Sequence, residues 1–206
     1  MKKLLLIVLF VPLLAKAQNI TTIAGNRGLA GTITGDGGPA TACTLNSPFG
    51  VASDTHGNIY IADQNTGRIR KIDSAGIIHT VAGDAMGALM DSGLATAVGL
   101  PGPEGVAIDN AGNIYIAARS NDCVYKVNDT GYIEVAAGIF SGYGSYVGYS
   151  GDNIPASTSR LYSPFGVAAD NFGNFYIADE GNQRIRKVNA AGIITTIAGN
   201  GIPGYS

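Results

Sequence analysis

Two aspartates in glycine-rich segments are the residues most suggestive of metal binding. Asp36 follows Gly35, Asp152 follows Gly151, and a proline comes three residues after each aspartate. Calcium takes about six to eight oxygen ligands at one site, whereas each of these aspartates is alone in its segment. A turn and one helical turn, begun at the proline and packing the next leucine, explain the pattern without a metal. We therefore expect structural linkers here and no bound metal.

The two histidines do not form an evident catalytic or zinc centre. His56 falls in a predicted turn and His79 in a predicted outer strand, whereas a zinc site or a Ser-His-Asp triad needs side chains that converge on one face. Ser47 and Ser163 have no evident base partner, and the chain lacks the Gly-x-x-x-x-Gly-Lys loop that binds phosphates. The sequence therefore predicts no catalytic residues and no cofactor, which favours a protein that is not an enzyme.

Two pairs of an acid and an arginine recur with the same spacing. Asp63 precedes Arg68 by five residues, and Asp179 precedes Arg184 by five. Across a predicted turn this spacing allows a salt bridge, and its repetition favours a structural clasp over a catalytic pair. In a third, related segment Ala118 stands in place of the aspartate, so we expect a weaker clasp there.

Glu104 and Arg119 break the pattern of these related segments. Glu104 stands where the other two segments have Phe49 and Phe165, and Arg119 opens a variable loop. Variable loops above a rigid scaffold commonly carry binding residues. We therefore select Glu104 and Arg119 as candidate binding residues.

A tyrosine-bearing segment provides a second candidate surface. Tyr143, Tyr146 and Tyr149 lie among glycines and serines, and Tyr162 follows soon after. Aromatic rings on a polar loop are typical of recognition surfaces for protein or sugar. The alternative is a loop that packs its own tyrosines over the fold beneath, and this alternative is the somewhat stronger one.

An internal repeat must position all of these residues. The segment 45–83 matches residues 161–199 at 25 of 39 positions and residues 100–138 at 17 of 39. Each copy has four strand signals, with an Asp-x-x-Gly-Asn turn between the first and second. Four antiparallel strands make one small sheet, and copies of that sheet cover one another by stacking face to face around an axis. The sequence therefore predicts an all-β propeller.

The repeated motifs also carry a family resemblance. They are Ser47-Pro-Phe-Gly-Val-Ala, Gly57-Asn-Ile-Tyr-Ile-Ala-Asp and Arg68-Ile-Arg-Lys-Ile, with counterparts at 163–168, 173–179 and 184–188. In these motifs the chain resembles the NHL repeat family of β-propellers, of the secreted bacterial type. The middle copy departs from the motif at Glu104, Ala118, Cys123 and Tyr125.

The resemblance implies a partial ring over residues 20–206. Three four-stranded blades and one leading strand, at residues 20–25, are expected. Propellers of the family usually close with about six blades, and open sheet edges are normally avoided. We therefore expect missing blades of a longer protein, or a second copy, to close the ring.

Residues 1–17 have the pattern of a Sec-type signal peptide. Lys2 and Lys3 precede an apolar run that ends in Ala15-Lys16-Ala17, with cleavage expected before Gln18. The run is shorter than the roughly 20 residues that span a bilayer, so no stable membrane anchor is expected.

Charge and cysteine content limit the partners and the covalent links. The formal net charge is −2, and cleavage would remove three lysines and no acid. Nucleic acid is therefore not an expected partner, because it requires a cationic face. Cys43 lies in a linker and Cys123 in a repeat; they could pair if the fold brings them together, and two buried thiols are an equal alternative, so no disulfide is predicted.

Three functions fit the sequence. The first is a secreted or periplasmic scaffold that binds a protein, peptide or glycan through loops on one face. The second is a propeller enzyme, a metal-dependent lyase or a lactonase- or esterase-like hydrolase, whose site lies partly in missing blades. The third is a structural spacer in a larger surface protein. The first is the one we favour.

Overall fold

The computed structural model describes residues 19–26, 35–84, 87–140, 142 and 146–204, so the expected signal peptide lies outside it. Within these residues the chain is all-β, with single-turn 3-10 helices as its only helical elements, and none of them is long enough to span a membrane. The strands are β1 (Pro48–Ser53), β2 (Ile59–Asp63), β3 (Arg68–Ile72), β4 (Ile78–Ala82), β5 (Ser92–Leu94), β6 (Pro103–Ile108), β7 (Ile114–Ala118), β8 (Cys123–Val127), β9 (Tyr132–Ala137), β10 (Ile154–Pro155), β11 (Pro164–Ala169), β12 (Phe175–Asp179), β13 (Arg184–Val188) and β14 (Ile193–Ala198).

Three up-and-down antiparallel sheets confirm the predicted propeller. Their consecutive strands are β1-β2-β3-β4 in blade 1, β6-β7-β8-β9 in blade 2 and β11-β12-β13-β14 in blade 3. The first strands of the blades form the inner layer, because β6 packs against both β1 and β11. Each linker leads from an outer strand to the inner strand of the next blade, as successive copies of one unit require.

Two blades have a short fifth strand that the repeats did not predict. The linker strand β5 pairs with β9, and β10 pairs with β14. In blade 1 the single bridge between Pro39 and Ile77 holds the same place. These segments cover the outer edge of each sheet, whose backbone groups would otherwise lack partners.

The turns form as their sequences predict. In blade 1, Asp54 Oδ1 accepts hydrogen bonds from the backbone N–H groups of His56 and Asn58, and Gly57 has φ of 82°. The same turns recur at 109–113 and 170–174. The linkers contain the predicted single helical turns, at Ala40–Ala42, Ala95–Ala97 and Ala156–Thr158.

Apolar contacts join each blade to the next. Tyr60 and Ile69 of blade 1 share a core cluster with Val106 and Ile114 of blade 2. A second cluster joins blades 2 and 3, and includes the stacked rings of Tyr115 and Phe175. Burial of such side chains contributes about 1.5–3 kcal/mol each, so the joints between blades hold most of the core.

Glycines let the inner strands approach closely. A Cβ at Gly50 would collide with the carbonyl oxygen of Glu104, and one at Gly105 would lie 2.8 Å from the carbonyl oxygen of Phe165. At Gly166 the nearest atom to such a Cβ is the Ala178 Cβ, at 3.6 Å. Glycine is therefore required where the next blade is in contact, and not at the open face of blade 3.

Residues 20–25 correspond to the outer strand of a blade but form no strand-to-strand hydrogen bonds among the described residues. The Gly25 N–H donates to Ala40 O, as Gly83 donates to Ala95 and Gly138 to Ala156. The segment therefore ends as the outer strands of blades 1 and 2 do. None of the described strands pairs with it.

Candidate functional site on the loop face

Strand register gathers four strand ends of each blade on one side. In blade 1, Pro48 pairs with Asp63, Asp63 with Arg68, and Ala82 with Ile69. This side, here called the loop face, carries the second-to-third turns, which contain 3-10 helices at Gln64–Thr66, Arg119–Asn121 and Glu180–Asn182. The Asp-x-x-Gly-Asn turns lie on the opposite side.

A fully buried arginine joins two acids beneath the loop face of blade 1. Arg70 Nη2 lies 2.7 Å from Asp36 Oδ1, and Arg70 Nη1 lies 4.0 Å from Asp63 Oδ2. Asp63 Oδ1 also accepts a 2.6 Å hydrogen bond from the backbone N–H of Asn46. Burial raises the pKa of Asp63 despite these favourable contacts. Asp36 is thus the anchor that ties the linker to β3.

Blade 3 repeats this arrangement. Arg186 lies 3.5 Å from Asp179 and 3.2 Å from Asp152, and the backbone N–H of Tyr162 donates to Asp179 over 2.8 Å. Burial tends to raise the pKa of Asp152, but hydrogen bonds from Tyr149 and Thr196 and the charge of Arg186 outweigh it, so the pKa is lowered.

The predicted clasp had the wrong arginine in both blades. Arg68 lies 3.7 Å from Asp84, and Arg184 hydrogen bonds to backbone carbonyl oxygens at the blade edge. Side chains two apart in a strand share one face, so Arg70 and Arg186 also face the acids. The side chains of Arg70 and Arg186 are fully buried. Arg70 lies within 4.0 Å of Asp63, and Arg186 lies within 4.0 Å of Asp179.

In blade 2 the acid, the buried arginine and the backbone donor of this polar group are all replaced. Ala118 replaces the acid, Tyr125 replaces the buried arginine, and Pro101, which has no N–H, replaces the backbone donor. The Tyr125 hydroxyl accepts a 2.7 Å hydrogen bond from Asn121 and donates to Met90 O at 3.4 Å. Burial raises the pKa of Tyr125. The Tyr125 hydroxyl thus has partners in place of the clasp, whereas the buried Asn121 Oδ1 has no hydrogen bond among the described residues.

The two pattern-breaking residues, Glu104 and Arg119, meet on the loop face. Glu104 Oε1 accepts a 2.9 Å hydrogen bond from Gln64 Nε2 and lies 3.6 Å from Arg119 Nη1. Arg119 Nη2 lies 3.8 Å from Glu180 Oε2. Since Gln64, Arg119 and Glu180 each begin a second-to-third turn, this rim cluster spans all three blades. Its members are Gln64, Glu104, Arg119 and Glu180.

The rim cluster combines a buried acid with two accessible charges. The Glu104 side chain is 2% exposed, whereas those of Arg119 and Glu180 are 46% and 55% exposed. The rings of Phe49 and Phe165, at the repeat position of Glu104, meet edge to face with centroids 6.0 Å apart. Both phenylalanines remain partly exposed. Charged and aromatic groups are therefore presented together by the inner strands.

The tyrosine segment contacts blade 3 through Tyr149. The Tyr149 ring stacks on Arg184, with the guanidinium carbon 3.9 Å from its centroid, and its hydroxyl donates to Asp152 over 2.9 Å. Tyr149 therefore packs over the fold beneath it, as the alternative interpretation of this segment expects of its tyrosines. Tyr146 is 55% exposed, and Tyr143 lies outside the described residues.

A polar groove runs between blades 1 and 2 on the same face. It has a volume of about 470 Å³ and is bordered by residues of both second-to-third turns, among them Gln64, Asn65 and Ser120, with Asp84 and Gly102 from the linkers. Because Gln64 belongs to both, the groove adjoins the rim cluster. The sequence offered no signal for it beyond the variability of these loops.

Comparisons with known proteins identify the repeat. A family model described as the Teneurin NHL domain matches residues 14–90. The chain is 32% identical over 179 residues to Teneurin-3 from Mus musculus and 31% identical over 177 residues to Teneurin-1 from Homo sapiens. Both alignments cover 80% of this chain and 6% of the relative. The resemblance of the chain to the NHL repeat family of β-propellers is therefore confirmed. It spans a small part of the length of these relatives.

Solved structures share the fold of this NHL propeller. A structural genomics protein of unknown function from Bacteroides thetaiotaomicron matches with a TM-score of 0.56 and 21% identity, covering 76% of this chain and 36% of that one. An auxiliary nutrient binding protein from Bacteroides ovatus matches with a TM-score of 0.55 and 19% identity, covering 76% and 37%. At these identities the likeness concerns the fold.

The histidines and cysteines of the NHL propeller lie away from the rim cluster. His56 is in a turn of the opposite side, and His79 Nε2 lies 3.4 Å from Asp73 in the outer layer. Cys43 and Cys123 are free, buried and in different core clusters. Among the described residues, no three histidine, cysteine or acidic side chains are grouped as metal ligands.

Proposed function

We propose that this NHL propeller is a secreted or periplasmic scaffold that binds a protein, peptide or glycan through its loop face. The observation that carries the proposal is the rim cluster. There Glu104 and Arg119, which depart from the repeat, join side chains of all three blades. The repeated residues build the scaffold, and the departures supply specific chemistry.

The rim cluster has the construction expected of a binding site. Each side chain begins on an inner strand or on a short 3-10 turn, so the backbone positions are well defined. Arg119 and Glu180 remain accessible, and the adjoining groove offers amide and hydroxyl groups for hydrogen bonds. Tyr146 and Tyr149 widen the candidate surface towards blade 3.

Export is the second element of the proposal. Residues 1–17 combine two lysines, an apolar run and an Ala-Lys-Ala site, which is the arrangement of a cleaved signal peptide.

The auxiliary nutrient binding protein from Bacteroides ovatus shows that a propeller of this fold can serve in binding.

The open face of blade 3 supports a further contact. Ile185 is 38% exposed, whereas its counterparts Ile69 and Val124 are fully buried by the next blade. We infer that another blade, from the same polypeptide or from a second copy, covers this face.

Array binding tests the role of the loop face. The immobilised protein is screened against arrays of glycans and of peptides, together with the variants Arg119→Ala and Phe172→Ala. Phe172 is 83% exposed on the opposite side, and alanine is the residue of blade 2 at that repeat position. Array members whose binding is lost or strengthened in the Arg119 variant, but is unchanged in the Phe172 variant, support the proposal. Binding that the loop-face substitution leaves unchanged contradicts it.

A further inference from the structure

One oxygen of the rim cluster has no partner. Glu104 Oε1 faces Gln64 and Arg119, but Oε2 is buried and, in the described chain, has no hydrogen bond. Leaving a buried carboxylate oxygen unpaired costs free energy, and such groups in native structures call for a specific explanation. Since blades 1 and 3 carry phenylalanine at this position, the fold does not require an acid here.

The charges of the rim cluster are unbalanced. Glu104 and Glu180 are both acids, Gln64 is neutral, and Arg119 is the cation that the two acids share at 3.6 and 3.8 Å. Within these four residues one negative charge is therefore left over, and the Glu180 side chain is accessible. A ligand that supplies a positive charge would balance it, whereas an anion would add to the excess.

Two aromatic rings flank the same position. Phe49 and Phe165 are 51% and 41% exposed and lie on the blades on either side of Glu104. The face of an aromatic ring attracts a cation, by about 0.5–1 kcal/mol at exposed sites. Carboxylates combined with aromatic faces are a recurrent way to bind organic cations, since the ring also packs against the alkyl part of the ligand.

We propose that Glu104, Glu180, Phe49 and Phe165 bind an organic cation, an alkylammonium or guanidinium group such as that of a lysine or arginine side chain. This inference rests on the proposed function of the loop face and names its ligand chemistry. The cation donates to Glu104 and packs against the phenylalanine rings. The cation takes the unpaired Oε2, and the like charge of Arg119 beside Oε1 opposes its binding.

The test is a calorimetric titration at low salt with N-acetyl-lysine methylamide. N-acetyl-norleucine methylamide, which lacks the ammonium group, is the neutral control. We expect the lysine probe to bind and the norleucine probe not to bind. Butylamine tests a free amine as the source of the cation, and a lysine-containing pentapeptide tests a peptide. Tighter binding of the peptide than of butylamine identifies a peptide as the preferred source, and the reverse identifies a small amine.

Variants separate this inference from a structural role. Glu104→Gln keeps the shape of the side chain. It should lower the affinity for the lysine probe by about tenfold or more, as expected for a lost charged hydrogen bond. Glu104→Phe restores the residue of blades 1 and 3 and should abolish binding while the protein stays folded by circular dichroism. Arg119→Ala should strengthen binding, because it removes a like charge beside the bound cation.

Several outcomes would overturn the inference. They are equal binding of the norleucine probe, unchanged affinity in Glu104→Gln, loss of binding in Arg119→Ala, and displacement of the lysine probe by calcium at stoichiometric concentration. Failure of the lysine probe while array ligands still depend on Arg119 removes only the cation assignment. Failure of both experiments removes the proposed function as well.

Discussion

Asp63 accepts a 2.6 Å hydrogen bond from the backbone N–H of Asn46, and blade 2 has lost both the acceptor and the donor. In blade 1 the same acid faces the fully buried Arg70. An arginine stays charged in proteins, so the acid, the arginine and the N–H depend on one another.

Asp63→Ala should be strongly destabilising. The substitution leaves Arg70 without one of its two acids and the Asn46 N–H without its acceptor. Breaking a buried ion pair in this way costs about 3–5 kcal/mol of unfolding free energy. Urea denaturation at neutral pH measures it. The double variant Asp63→Ala with Arg70→Tyr, which imports the blade 2 residues, should lose clearly less than the sum of the single losses; additive losses would contradict the coupling.

Arg70→Ala should cost much more stability than Arg68→Ala. The Arg70 side chain is fully buried between two acids, whereas Arg68 pairs with the partly exposed Asp84 at 3.7 Å. Exposed ion pairs contribute about 0–1 kcal/mol. Comparison of the two variants by chemical denaturation checks this, and an equal loss would restore Arg68 as the clasp residue.

Gly50→Ala should destabilise the protein by about 1–3 kcal/mol, the usual cost of overpacking. Its Cβ would collide with the Glu104 carbonyl oxygen, a backbone atom that can move only with blade 2. Gly166→Ala is the matched control, because its Cβ would find ordinary contact with Ala178 at 3.6 Å. Thermal melts of both variants decide the point; equal melting temperatures would show that the inner strands are not in close contact.

Asp170→Asn should make the free energy of unfolding less dependent on pH in the acid range. Hydrogen bonds from Asn174, above all from its side chain, and from Phe172 and Tyr176 lower the pKa of Asp170 from 3.8 to about 2, although burial opposes this. A carboxyl group whose pKa is depressed on folding stabilises the protein above its unfolded pKa, and this contribution disappears as the pH falls through the folded pKa. The protein should therefore lose more stability than Asp170→Asn between about pH 4 and pH 2. Urea midpoints across this range measure it, with uncharged Asn171→Ala as control; parallel curves would refute it.

Ile185→Lys should reduce self-association with little loss of stability. Ile185 lies on the open face of blade 3, whereas its counterpart Ile69 is fully buried under blade 2. Exposed apolar faces promote association, so the unsubstituted chain should sediment as oligomers and the Ile185 variant should shift towards monomer. The matched variant Ile69→Lys should fail to fold. An unsubstituted chain that sediments as a monomer would contradict this prediction.

The internal repeat allowed the propeller fold to be predicted from the sequence. The Asp-x-x-Gly-Asn turns and the Ile-Tyr-Ile-Ala strands identified the blades because local turn chemistry and apolar patterning agree with the fold. The single helical turns after Asp36 and Asp152 followed from their prolines. Glu104 and Arg119 could be selected together because they are departures within a repeated frame, although their contact was not predicted.

The buried arginines could not be predicted from spacing alone. Counting across a turn finds the residue opposite Asp63, which is Arg68, but a long side chain can reach the acid from the next position on the same face. The linker acid Asp36 is 34 residues from Arg70, and only the packed blade brings them together. The short fifth strands were missed for a related reason, since their pairing depends on an outer edge that the linker happens to cross.

The polar group beneath the loop face also constrains the order in which a duplicated blade can diverge. If the acid were lost first, a buried arginine would remain without this partner, and arginine cannot lose its charge. Loss of the arginine first leaves an acid that can take up a proton, and burial already raises the pKa of Asp63 and Asp179. The less costly mutational path to the Ala118 and Tyr125 pair therefore begins at the arginine position.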